Sequence, residues 1–321
     1  MGNVVLNPNR PTRLQPVKHA PPHKIVPQRV SSYGDGRPPR RKKKGRLLQG
    51  IIITIGAMGL TVLVIHANDT WMPPVKELIG GTGASVKETR CPSDMSFVSD
   101  SGGGFCIDKY EASAGKICSH SSPANQFETN DNMSQTLCVP QSVADAEPWV
   151  NIPESQAMEL CARAGKHLAQ NAEWYRAALG TPDDIVATTN SQGCVLGRVG
   201  INSGEKTGSH SSCVSSAGAY DMIGNVWEWV DGNVSDGAYK GRELPQEGYV
   251  AETDVDGVPV KTATSSTVVF HNDYLYLKRD GVSGMIRGGF WNLTDKAGVA
   301  TINATIPTTF IGNAVGFRCA R

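Results

Sequence analysis

Apolar and polar positions follow a regular period in only a few stretches of this 321-residue chain. The longest apolar run is Leu47–Ile65, nineteen residues without a charge in which only Gln49, Thr54 and Thr61 are polar. At about 1.5 Å per residue such a run crosses a bilayer as one helix. Phe105–Ala112 alternates, with Phe105, Ile107 and Lys109 on one side and Cys106, Asp108 and Tyr110 on the other, and predicts a strand. Between Pro153 and Ala164, the residues Ala157, Leu160, Cys161 and Ala164 recur at helical spacing. Pro153 suits the first turn of that helix and Gly165 its stop. A second helix is predicted over Ala172–Leu179, capped by Asn171, with Glu173 on the dipole and Gly180 and Pro182 at its end. In Asp221–Val230, Trp227 and Trp229 alternate as strand residues do, and each can bury about 150–250 Å² of ring. Residues 181–220 and 231–285 show no period and are expected to be long irregular segments.

Charge divides the chain. Residues 1–46 carry twelve Lys and Arg and a single acid, Asp35; the remainder holds 19 basic and 29 acidic residues, so a net charge of +1 hides a basic tail on an acidic body. The tail is studded with prolines and has few large apolar groups, so it cannot offset the entropy of ordering and is expected to be disordered. A nucleic-acid arm is one use for such a tail. The basic run Arg40–Arg46 lies directly before the apolar span, however, and favours a cytosolic juxtamembrane tail with no nucleic acid as partner. The organisation expected is a tail over 1–46, a single transmembrane helix over 47–66, a Pro- and Gly-containing stalk over 67–90, and a folded domain over 91–321 on the outer side of the cell membrane. A cleaved signal peptide is the competing reading of the apolar run. Its charged region is ordinarily short, and Ile65 two residues before Ala67 makes a poor cleavage site.

All eight cysteines lie beyond residue 90, an even number in a body expected to meet an oxidising compartment, and no CxxC spacing occurs. Disulfides are therefore expected in place of zinc thiolates. Eight cysteines allow 105 pairings, and spacing alone selects none of them.

The densest stretch is Asp221-Met-Ile-Gly-Asn-Val-Trp-Glu-Trp-Val230. Together with Arg287-Gly-Gly-Phe-Trp291, the terminal Gly316-Phe-Arg-Cys-Ala-Arg321 and Leu160-Cys-Ala-Arg-Ala-Gly-Lys166, it resembles the formylglycine-generating enzyme, or sulfatase-modifying factor, family over roughly 91–321. The resemblance implies an α+β domain, a variant of the C-type lectin fold with much irregular structure. It also implies a bridge from Cys161 to Cys319, and a calcium ion held by the Asp221 side chain, the Gly224 and Val226 carbonyls and the Glu228 carboxylate. Oxygen donors beside a turn-forming glycine suit calcium chemically. Cys91–Cys106, Cys118–Cys138 and Cys194–Cys213 are the remaining pairs by proximity along the chain.

In the family's oxidase members two cysteines five residues apart, shortly after the GG-aromatic motif, bind copper. The matching positions here are Leu293 and Gly298, so no copper and no formylglycine generation are expected. The chain also lacks the HxxxHxE pattern of the iron-dependent sulfoxide synthases and a GxSxG nucleophile elbow. The frame Gly288, Gly289, Trp291, Ala297, Gly298, Val299, Pro307 and Gly316–Arg318 resembles instead the variable segment of proteins diversified by retroelements, in which altered side chains form a ligand-binding surface. The function expected is thus a membrane-anchored, non-catalytic protein that binds an external protein or glycan. Its binding residues are expected to be Phe290, Trp291, Asn292, Leu293, Asp295, Thr309, Phe310, Ile311 and Asn313. The alternative is an enzyme of the family with a non-cysteine active site.

Overall fold

The computed structural model of the chain describes residues 91–183 and 193–321. The expected tail, membrane helix and stalk lie outside these residues. No helix among the described residues is long and apolar enough to cross a membrane.

The strands in chain order are β1 (Met95–Val98), β2 (Phe105–Asp108), β3 (Ser113–Ala114), β4 (Pro140–Gln141), β5 (His167–Leu168), β6 (Trp227–Ser235), β7 (Ala238–Tyr239) and β8 (Arg242–Glu243). They continue as β9 (Gly248–Thr253), β10 (Pro259–Ala263), β11 (Tyr274–Leu277), β12 (Val282–Arg287), β13 (Ile302–Ala304), β14 (Val315–Phe317) and β15 (Cys319–Ala320). Among the described residues three helices join them, α1 (Gln126–Ser134), α2 (Glu154–Arg163) and α3 (Asn171–Ala178).

Among the described residues the main sheet runs β10-β9-β11-β13-β12-β6-β7-β8, with β14 parallel to β6. Strand β6 lies between β12 and β14, and Trp227–Val230 is buried on both faces by two core clusters. Trp229 packs with Leu160, Ile286 and Phe317 in one cluster, and Val230 with Trp174, Met222 and Met285 in another. A second sheet, β1-β2-β15-β5, brings the last strand between the first strands of the domain and the turn after α2. The predicted strand ends at Asp108. Both edges of β2 are paired, and Cys106, Ile107 and Asp108 are all buried, so the expected division into an inner and an outer side does not hold.

Helices α2 and α3 form where the spacing predicts. Ala157, Leu160 and Cys161 line the buried side of α2, and Gly165, at φ 69°, closes it while Lys166 N–H bonds back to the Cys161 carbonyl at 3.0 Å. The cap of α3 is Gln170, one residue earlier than expected. The Glu173 carboxylate accepts the Gln170 N–H at 2.8 Å, and Asn171 is buried with its amide donated to the Asp256 carbonyl. Helix α1 has no apolar stripe to announce it. Asn125 caps it by accepting from Glu128 N–H at 3.1 Å, and the Trp149 indole is held by Thr129 on its inner side.

The expected irregular segment 231–285 is in fact largely sheet: it holds most of β6, all of β7 to β11 and the start of β12. Two tight hairpins begin it. Asp236-Gly237 and Lys240-Gly241 each put two consecutive residues at positive φ, the geometry of a two-residue turn whose twist matches its strands. The domain is therefore mostly β with few helices, and the irregular structure is concentrated in 193–226 and in the loops around β13.

The four disulfides are Cys91–Cys106, Cys118–Cys138, Cys161–Cys319 and Cys194–Cys213. The bridge implied by the family resemblance and the three proximity pairs are all formed.

Candidate functional site

The dense stretch and the carboxyl-terminal motif meet in one buried ion pair. Arg318 donates from Nε to Glu228 Oε2 at 2.6 Å and from Nη2 to Glu228 Oε1 at 2.5 Å, and the Trp174 indole adds a bond to Oε2 at 2.7 Å. The rest of the guanidinium is satisfied by the Asp108 and Tyr220 carbonyls at 3.1 and 2.9 Å. Bidentate, fully buried and fully hydrogen-bonded, this pair ties α3, β6 and the last strands together.

Asp221 and Glu111 crowd the same centre. Asp221 Oδ2 accepts from Gly208 N–H at 2.6 Å and its Oδ1 is buried without a partner. Glu111 takes the Asn225 amide at 2.6 Å. Burial pushes Glu111 well above the ordinary carboxylate range, with repulsion from Asp221 and Glu228 adding to it, and burial raises Asp221 to about 6. Of the four donors expected for calcium, Glu228 is engaged through both oxygens with Arg318 and Trp174, so an ion there would compete with that pair. Among the described residues no cluster of three or more His, Cys, Asp or Glu side chains is placed to hold a metal. Arg318 offsets part of the negative charge, and burial with repulsion among the carboxylates pushes Glu111 and Asp221 toward their protonated forms. Thermal unfolding in EDTA and in millimolar calcium is therefore expected to give the same midpoint; a rise with calcium would restore the ion to the site.

Buried protons also set the response to pH. Burial raises Asp273 to about 7 and Glu154 to about 7, beside Asp221 at about 6. These groups hold protons in the folded chain that the unfolded chain releases near pH 4, so stability falls as pH rises from about 4 through 7. His167, raised first by its hydrogen bond to Glu173, acts in the same direction: its contribution is complete below its ordinary value and is lost as pH rises through the folded one. The thermal midpoint is expected to be about 5 °C higher at pH 5.5 than at pH 8. An equal or higher midpoint at pH 8 would refute this.

The RGGFW stretch anchors the loop 288–301. Arg287 is buried, lies 5.0 Å from the centre of the Trp174 ring and 5.4 Å from that of Tyr175, and donates to Asn171 and to the Gly257 and Val299 carbonyls. Gly288 and Gly289 take φ of 90° and 94°, and a Cβ on Gly289 would stand 2.6 Å from that of Ala297. Only glycine permits this approach, which folds the loop back on itself. Gly298 is closed in the same way by Asp273, so the position matching the second oxidase cysteine has no room for a side chain. Leu293, at the first, is half-buried against the core that contains Trp227.

The nine expected binding residues are not one surface. Trp291 is core: it is buried with Val195 and Val226, and its indole donates to the Ile201 carbonyl at 3.0 Å, because the glycine turn aims it inward. Phe290 and Leu293 are half-buried, Phe290 lying on Trp227 at 6.4 Å between ring centres. Asn292 and Asp295 are exposed on the same loop. Asn313 is exposed and bonds to the Asn202 carbonyl at 2.8 Å, so the second loop, 305–314, shares the 201–202 turn with the first. Thr309, Phe310 and Ile311 are exposed on a stretch anchored elsewhere, through the Thr308 carbonyl to the start of α2.

Sequence reading missed a row of aromatic rings beside these loops. Tyr249 on β9 and Tyr274 on β11 are cross-strand partners with rings 5.2 Å apart, Tyr276 lies 4.7 Å from Tyr274, and Trp227 and Phe290 continue the row. The period-two alternation Tyr274-Leu-Tyr-Leu277 was the available signal, tyrosines to one face and leucines to the core. Tyr276 is pushed above the ordinary phenol range by burial, then by Asp295, and its hydroxyl bonds to the Lys296 carbonyl at 3.2 Å.

No curated protein matches the chain. Among solved structures it is similar to the Major Tropism Determinant I1 variant, at 16% identity over 72% of this chain and 53% of that one, with a TM-score of 0.36. It is also similar to Treponema denticola variable protein 1, at 18% identity over 68% and 84% with a TM-score of 0.37, and to PvdO from Pseudomonas aeruginosa, at 15% over 68% and 80% with a TM-score of 0.38. The chain spans about half the length of the Major Tropism Determinant chains it matches. The family model of the sulfatase-modifying factor enzyme 1-like domain matches residues 101–321, and with more than half its length so matched the chain belongs to that family.

Proposed function

We propose that this protein is a non-catalytic binding member of its family, anchored through residues 47–66 and presenting its two carboxyl-terminal loops to a protein or glycan outside the membrane. The observation that carries the reading is the contrast within those loops. Asn292, Asp295, Thr309, Phe310, Ile311 and Asn313 are exposed, whereas the frame residues Gly289, Trp291, Gly298 and Arg318 are committed to turns or core. Side chains at the first set can change without disturbing the second, as a diversified binding surface requires. Leu293 and Gly298 stand where the oxidase members carry thiols, which removes that reaction from the reading.

Sequencing the gene across independently isolated populations tests this. Substitutions should concentrate at codons 292, 295, 309–311 and 313 and spare 288, 289, 291, 298 and 318; uniform or absent variation would refute diversification. For the anchoring, protease added to intact cells should remove the body. Protection of the body with digestion of the tail would reverse the topology.

A further inference from the structure

We propose that the cleft at the end of the aromatic row is a subsite for a saccharide, one neutral hydroxyl-rich ring lying on Tyr249. The proposal rests on the binding-protein reading and names a ligand class for a surface that takes only Lys296 from the loop 288–301. The cleft encloses about 420 Å³ and is lined by Glu247, Tyr249, Thr262, Thr264, Tyr274 and Lys296, with Gly248 and Ala263 in its floor. The sheet register makes it. Tyr249 on β9 pairs with Tyr274 on one side and Ala263 on the other, so a large ring stands beside a methyl group and leaves a hollow. Gly248, also in the lining, adds no side chain to the wall.

The groups around the hollow argue for a neutral ligand. Lys296 lies with its ammonium 4.4 Å from the centre of the Tyr274 ring and 5.9 Å from that of Tyr249. Across from it, Glu247 accepts the Tyr274 hydroxyl at 3.3 Å and the Leu277 N–H at 3.2 Å. A cation entering the cleft would face Lys296, and an anion would face Glu247. A ring with hydroxyls satisfies both, accepting from the ammonium and donating to the carboxylate, while its C–H face covers an aromatic surface. The volume holds a ring or two and little more.

Saturation-transfer NMR on the full chain, with the methyl glycosides of glucose, galactose, mannose and N-acetylglucosamine as probes, tests the proposal. N-acetylarginine amide serves as the cationic comparison. At least one glycoside should show transfer to its ring protons in the millimolar range. Tyr249→Ala should weaken it about tenfold. Lys296→Gln, a change at a side chain outside the core, should weaken it severalfold if Tyr249→Ala fails to fold. No transfer to any glycoside, transfer to the arginine amide alone, or transfer undiminished in both variants would overturn it. Population sequencing of the gene reads codons 292, 295, 309–311 and 313, none of which lines the cleft, so either result can fail without the other.

Discussion

Arg318→Met is expected to cost about 3–5 kcal/mol of stability, enough to leave a domain of ordinary stability largely unfolded. The substitution keeps much of the side-chain volume but removes every donor to Glu228 except the Trp174 indole, stranding a carboxylate that is 1% exposed. It also strips the Asp108 and Tyr220 carbonyls of their partner. Glu228→Gln should also be damaging, because it takes the bidentate partner from a buried guanidinium and leaves Glu111 and Asp221 as the remaining negative charge around it. The double variant Arg318→Met/Glu228→Leu should recover part of the loss, because what costs most is one charge left without the other. Urea denaturation of the four proteins checks this. A single variant within about 0.5 kcal/mol of the parent would show that the pair is not the hinge of the fold.

Removing the Cys161–Cys319 bridge should be the second most damaging change. Its ends are 158 residues apart and join the buried side of α2 to the last strand, whereas Cys194–Cys213 closes a separation of 19. On the chain-entropy model these loops correspond to about 5 and about 3 kcal/mol, values that native strain and residual structure lower in practice. Cys161→Ala/Cys319→Ala is therefore expected to lower the urea midpoint well below that of Cys194→Ala/Cys213→Ala. Equal losses would mean that the entropic ordering does not govern this domain.

The parts of the fold that could be read from the sequence are those where the physics is local. Helices α2 and α3 were legible because their apolar spacing, first-turn acids and closing glycines all lie within a dozen residues. Strand β6 was legible from its tryptophans. Helix α1 was not, because it is polar and is held by its Asn125 cap and by Trp149 reaching it from elsewhere. The strands within 231–285 were missed for another reason. Each is short, and the two-residue turns that define the first hairpins rest on Asp-Gly and Lys-Gly, readable only when the flanking alternation is counted. At the site, the motifs located the centre but not its chemistry. That Glu228 is spent on Arg318, ninety residues away, is a tertiary fact, as is the turn that buries Trp291 while leaving Asn292 outside.

The claim that exchangeable side chains stand on a fixed frame can be measured in one experiment. Two surface-displayed libraries of the full chain, one randomised at Asn292, Asp295, Thr309, Phe310, Ile311 and Asn313 and the other at Gly288, Gly289, Trp291, Gly298 and Arg318, are sorted for protease resistance and sequenced. The account predicts that the first library survives with nearly every residue type at each position, and that the second returns the starting residues almost alone. Equal depletion of the two libraries would contradict it.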